Sequence, residues 1–173
     1  MRGTAPPGLR LATVLVIATI VQAGVLSHLR IAGVAPDLLL VVAIAGGLVA
    51  GETRGALGGF FAGLAIDLIT WGRPFGLAIL VYTLVGWGCG RVRTATAFAS
   101  RLADVVVAAA ASVLAAAAYV VGVGIFGDGG SLAGDFPAVA VVTALWSSLL
   151  VLPVSAVARW VWGDVEDATA WAR

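Results

Sequence analysis

Lysine is absent from this 173-residue chain, cysteine and histidine occur once each, and charged residues of either sign make up only 11 %. Each shortage removes a class of function. A soluble domain carries roughly 25 % charged residues, so 10 arginines and 9 acidic residues cannot cover a water-facing surface. The net charge of +1 is far from the basic excess that binding to nucleic-acid phosphates requires. Cys89, alone in an apolar run, offers neither a disulfide framework nor a Cys-rich metal site. The single histidine, His28, directly follows Ser27, and neighbours on a helix point in different directions, so no Ser-His pair is indicated. A G-x-S-x-G elbow, an H-E-x-x-H pair and a G-x-x-x-x-G-K-[ST] phosphate loop are all missing. Gly127-Asp128-Gly129 lacks the glycine two residues earlier that an intramembrane aspartyl protease would carry, and reads as a turn. No enzyme chemistry, cofactor or metal is expected.

What is present is hydrocarbon: 61 % of residues come from AVILMFWYC and mean hydropathy is +1.09. A helical span takes about 20 residues. Apolar stretches separated by charge, glycine and proline give six spans, at about 11–29, 36–51, 55–70, 74–90, 103–126 and 138–160, within one integral membrane domain covering 1–173. The fold class is therefore all-α, a polytopic six-helix bundle. Pro36 is expected in the first turn of the second span, and Glu52-Thr53-Arg54 in the link to the third. The third span is short and belongs in a thinner or protein-shielded place. Arg2 and Arg10 before an apolar run, with Val21-Gln22-Ala23 as a cleavage tripeptide, also fit a signal peptide; we read the segment as a retained first span.

Basic residues near span ends stay cytoplasmic. With the N-terminus inside, Arg2, Arg10, Arg54, Arg91, Arg93, Arg101, Arg159 and Arg173 are cytoplasmic and only Arg30 and Arg73 are outside. Both termini are then expected in the cytoplasm. The Gly-rich stretch 127–137, with Asp128 and Asp135 and no basic residue, suits an outer loop. Trp71, Trp87, Trp146, Trp160 and Trp162 fall mostly near span ends, as indole rings do.

Gly55, Gly59 and Gly63 recur every four residues, and Asp67 is next on the same row. That spacing puts all four on one helix face, where glycine lets a neighbouring backbone approach closely. Gly47 with Gly51, and Gly86 with Gly90, repeat the signal. Asp67 is expected to point into the bundle. Asp37 opens the second span and Asp67 ends the third, so both lie toward the outer face, with Arg30, Arg73 and His28 nearby. Charge within a membrane is costly and is normally paired. The cluster Asp37, Asp67, Arg30 and Arg73 is either a clasp holding helices together or a surface that docks a partner.

The run from Pro36 to Arg91 carries a resemblance. Pro36-Asp37-Leu38-Leu39-Leu40, then Gly55 to Gly59 with Phe60, then Gly63-Leu64-Ala65-Ile66-Asp67-Leu68, Gly72 to Gly76, Tyr82, and Gly86 to Arg91 resemble the rod shape-determining protein MreD family. The resemblance implies a non-enzymatic scaffold subunit of the bacterial elongation machinery in the cytoplasmic membrane. Its implied partners are MreC, the RodA glycosyltransferase with its transpeptidase partner, and MreB. It further implies an architecture similar to the substrate-binding subunits of energy-coupling-factor transporters. The alternative is accordingly a vitamin-type transport subunit with Asp37 or Asp67 reading a ligand. Such a subunit is expected to show an Ala-x-x-x-Ala row on its first span. Here Ala12, Ala18 and Ala23 are followed four residues later by Val16, Gln22 and Ser27.

Overall fold

The computed structural model describes residues 6–26, 28–29, 35–70, 75–95, 100–126 and 136–170. Among these the fold is helical throughout: α1 (Pro7–Val21), continued by a π-helical turn (Gln22–Leu26), then α2 (Leu38–Ile69), α3 (Leu77–Ala95), α4 (Arg101–Phe126) and α5 (Phe136–Ala170). Among the described residues, four stretches are long and apolar enough to cross a membrane: Gly8–Leu26, Leu38–Ile69, Arg101–Ile125 and Val139–Trp162.

The second of these is not one rod. Gly51 has φ 81° and ψ −177°, a conformation open essentially only to glycine. In an unbroken helix Gly47 and Gly55 would stand about 12 Å apart; here a Cβ added to Gly55 would collide with the Gly47 backbone. The chain therefore folds back at Gly51 into two arms, 38–50 and 52–69. Glu52, Thr53 and Arg54, expected as a link, form the first turn of the second arm, and one glycine makes the reversal.

The first arm is the centre of the bundle. Every residue from Leu39 to Leu48 is buried, as a helix that is apolar on all sides must be. Its 13 residues rise only about 20 Å, short of the ~30 Å hydrocarbon core. The shielded, short helix is thus this arm and not the one after it, whose Leu57, Phe60, Phe61 and Leu68 are exposed. Pro36 also moves: it lies two residues before the first helical residue, Leu38, and Asp37 between them is the cap. Toward the other end, α3 continues through Arg91 and Arg93 to Ala95, and α5 runs past residue 160 to Ala170. α4 starts at Arg101, capped by the Ser100 hydroxyl, which accepts from the Ala103 amide at 3.1 Å.

Packing is tightest between α2 and α3, with α4 and α5 forming a second pair against them. Gly55 faces Gly86, Gly59 faces Tyr82, Gly63 faces Ala78 and Ile79, and Gly90 lies against Gly51 and Glu52. Partners on α3 descend by four as positions on α2 ascend by four, so the second arm and α3 are antiparallel, joined along their i, i+4 rows. A Cβ at Gly55, Gly59, Gly63, Gly86 or Gly90 would sit less than 3.0 Å from backbone atoms of the facing helix, which fixes how close the helices come.

Candidate functional site

The glycine row ends in a polar junction. Gly76, with φ +96°, turns the chain into α3 and has no side chain to cap it. Asp67, the next position after Gly63, supplies the cap: one carboxylate oxygen accepts from the Gly76 amide at 2.9 Å and the Ile79 amide at 3.3 Å. The carboxylate sits at the unfavourable end of its own helix dipole and at the favourable N-terminus of its neighbour's. It points into the bundle, as its place on the row requires.

Asp37 does the same for the first arm of α2. Its Oδ1 accepts from the Leu40 amide at 3.0 Å, an N-cap in its own helix, while Oδ2 accepts from the Tyr82 hydroxyl of α3. Ile79 and Tyr82 are three residues apart, about 4.5 Å along the axis, so the two carboxylates engage neighbouring turns of α3.

A third side chain completes the junction. Gln22, in the π-helical turn, donates through Nε2 to the Pro36 carbonyl at 2.9 Å and accepts through Oε1 from the Leu38 amide at 2.8 Å. Residues 35–37 are non-helical, and such backbone within a membrane protein needs protein partners where no water reaches it. Gln22 provides them and ties α1 to α2. Arg30 and Arg73 lie outside the described residues, as do residues 31–34, 71–74 and 127–135.

The opposite end gathers the arginines. Arg10, buried at the start of α1, donates to the Trp160 carbonyl at 3.0 Å and stacks 5.2 Å from that indole. Arg91 meets Glu52 at 3.4 Å and lies 5.5 Å over Trp87. Arg93 meets Asp104 at 3.3 Å, and Arg54 stands 5.5 Å over Trp162. These contacts link the start of α1, the Gly51 turn, the end of α3, the start of α4 and the last turns of α5 into one charged rim. The bundle is therefore polarised, with arginine at one end and the aspartate junction at the other.

The family model for the rod shape-determining protein MreD matches residues 7–161. The chain belongs to the MreD family. Comparison with curated proteins and with solved structures returned no match. As an MreD-family member it is a multi-pass protein of the bacterial membrane with a part in rod-shape determination.

In this MreD-family chain the glycine row runs from the Gly51 turn to Asp67, Asp67 and Asp37 both bond to α3, and the structure adds Gln22 and Tyr82 to that junction. Gln22 carries a signal of its own: a glutamine inside an apolar span is expensive unless bonded. Tyr82 pairs with a residue 45 positions away, which no local pattern announces. Trp146 departs from the span-end pattern: it sits about a third of the way along α5, its indole nitrogen buried with no hydrogen-bond partner among the described residues.

Proposed function

We propose that this MreD-family chain is a non-enzymatic scaffold of the rod-shape machinery. It crosses the cytoplasmic membrane six times, the two arms of α2 counting separately, with an architecture like that of energy-coupling-factor substrate-binding subunits. Both termini lie in the cytoplasm, where the arginine rim faces MreB. The bundle holds MreC beside RodA and its transpeptidase partner for lateral peptidoglycan synthesis.

The observation that carries this reading is the family match across residues 7–161. The junction supports it. Asp37 spends both carboxylate oxygens within the fold and Asp67 caps α3, so the aspartates act as a clasp for the helix ends. That use leaves little for a transported ligand to bind, which disfavours the vitamin-transport alternative.

Affinity purification of the tagged chain from native membranes in mild detergent tests the function. Recovery of MreC with the elongation synthase supports the scaffold; recovery of a transporter ATPase with its coupling subunit overturns it. For the clasp, Asp67→Ala should lower stability by about 1 kcal/mol through loss of the α3 cap, with MreC recovery falling only in proportion to protein level. MreC recovery lost at unchanged stability would make Asp67 a docking residue instead.

A further inference from the structure

The charged contacts at the arginine end put all five helices on a common level: Arg91 meets Glu52, Arg93 meets Asp104, Arg10 donates to the Trp160 carbonyl and Arg54 stacks on Trp162. Measured from that rim, the two halves of the bundle have unequal apolar lengths. The second arm of α2 rises about 24 Å from Arg54 to its cap at Thr70, and α3 covers about 23 Å between the Gly76 turn and Arg91. By contrast α4 rises about 33 Å from Asp104 to Phe126 and α5 about 35 Å from Phe136 to Arg159, with no charged residue in between. The hydrocarbon core is about 30 Å thick. An ordinary tilt of about 20–30° fits α4 and α5 to it. The α2–α3 pair falls short by about 6 Å, and tilting only shortens it further.

We propose that the α2–α3 face thins the bilayer beside it, drawing lipid headgroups about 6 Å inward at the aspartate end, while α4–α5 keeps the membrane at full thickness. The partner this surface fits is the bilayer itself. Leu57, Phe60, Phe61 and Leu68 of the second arm and Leu80 and Leu84 of α3 are exposed, so the short half presents an apolar face to lipid. The backbone at its far end sets the level at which hydrocarbon must stop. Thr70 is extended, residues 75 and 76 form a turn, Phe75 is exposed and the Asp67 carboxylate is only part-buried. Lipid-exposed irregular backbone does not occur inside the hydrocarbon layer, which therefore ends near Thr70 on this side. The inference requires that the helices span the membrane and does not depend on the scaffold role.

The test is the membrane depth of two matched positions in the full-length chain, reconstituted in dioleoylphosphatidylcholine bilayers. Leu68 and Leu145 are both exposed and lie at the same height, about 21 Å along the helix from Arg54 and Arg159 respectively. Leu68→Cys and Leu145→Cys each take a nitroxide label, and the signal of the unsubstituted chain, whose Cys89 is buried, is subtracted. Collision of the label with oxygen against a water-soluble nickel chelate reads depth. Thinning puts the Leu68 label about 6 Å nearer the polar boundary than the Leu145 label, and the difference should shrink in the thinner bilayer of dimyristoleoylphosphatidylcholine. Depths within about 2 Å of each other, the difference that helix tilt alone gives, overturn the proposal. So does a difference that stays the same in the thin bilayer, which would belong to the protein's shape and not to the lipid. A Leu68 label shielded from both oxygen and nickel overturns it in favour of a second protein surface covering α2–α3.

Discussion

The α2–α3 unit and the α4–α5 pair are both helical hairpins of apolar residues, but they are held in different ways. In the first, glycines bring backbone against backbone at six positions, Gly47 included, and polar groups bond across helices: Asp67 to α3, Tyr82 to Asp37, Gln22 to the start of α2. In the second, Ser112 donates to the Ala108 carbonyl at 2.8 Å and Ser155 to the Leu152 carbonyl at 2.9 Å, each within its own helix. Burial follows suit, with 61 % of the α2 span window buried against 28 % for α4 and for α5. Lipid tails are as apolar as leucine, so burying side chains gives little drive to associate in a membrane. Uniqueness then comes from close backbone approach and directed hydrogen bonds. The α2–α3 unit has both, and α4–α5, with alanine-lined contacts, is the side free to adapt to a neighbour.

The largest effect that would break this contrast lies at Gly59. A methyl there meets the Tyr82 carbonyl and the Thr83 amide, backbone that cannot swing aside, so the helices must separate. Gly59→Ala should cost about 3 kcal/mol or more, at or above the upper end of ordinary overpacking. Unfolding in mixed micelles would measure it. A loss below about 1 kcal/mol would mean the row is not the tight contact described here.

Next comes the cross-helix hydrogen bond. Tyr82→Phe removes a charge-assisted hydrogen bond to the part-buried Asp37 carboxylate, at a cost of about 1–3 kcal/mol. Ser112→Ala removes a bond within a single helix turn and should stay within about 0.5 kcal/mol. Measured side by side, the two separate hydrogen bonds that join helices from those that only occupy a hydroxyl. Equal losses would erase the distinction between the two regions.

Legibility in the sequence follows the same division. The spacing of Gly55, Gly59, Gly63 and Asp67 marks a packing face because that signal is local, whereas Pro36, expected in the first turn, sets the start of α2 two residues early, and Asp37 takes the cap. The reversal at Gly51 was hidden because three polar residues follow it and read as a link, whereas the structure needs only one positive-φ glycine. The first arm of α2 was equally opaque: a helix apolar on every side has no face to reveal, so its central burial could not be told from lipid exposure. Tyr82 with Asp37, and Gln22 with Pro36, are tertiary pairings set by how the arms fold back. For α4, alanine on all sides gives no preferred stripe in the sequence, although the structure buries Ala108, Ala111, Ser112 and Ala115 along one face.

The smallest predicted effect sharpens the comparison most. Gly122 on α4 also has a neighbour inside contact distance of an added Cβ, so a count of glycines alone would rank it with Gly59. The neighbour differs: at Gly122 all three nearest atoms belong to the Leu77 side chain, whose methyl groups are the closest, and a leucine can change rotamer at a cost of order 0.5–1.5 kcal/mol. The added methyl meanwhile raises helix propensity by nearly 1 kcal/mol over glycine. These terms nearly cancel, so Gly122→Ala should change stability by less than about 0.5 kcal/mol in the micelle titration that registers the Gly59 loss. Should Gly122→Ala instead cost as much as Gly59→Ala, α4 would be locked to the rigid unit, and the adaptable surface would have to be sought on α5 alone.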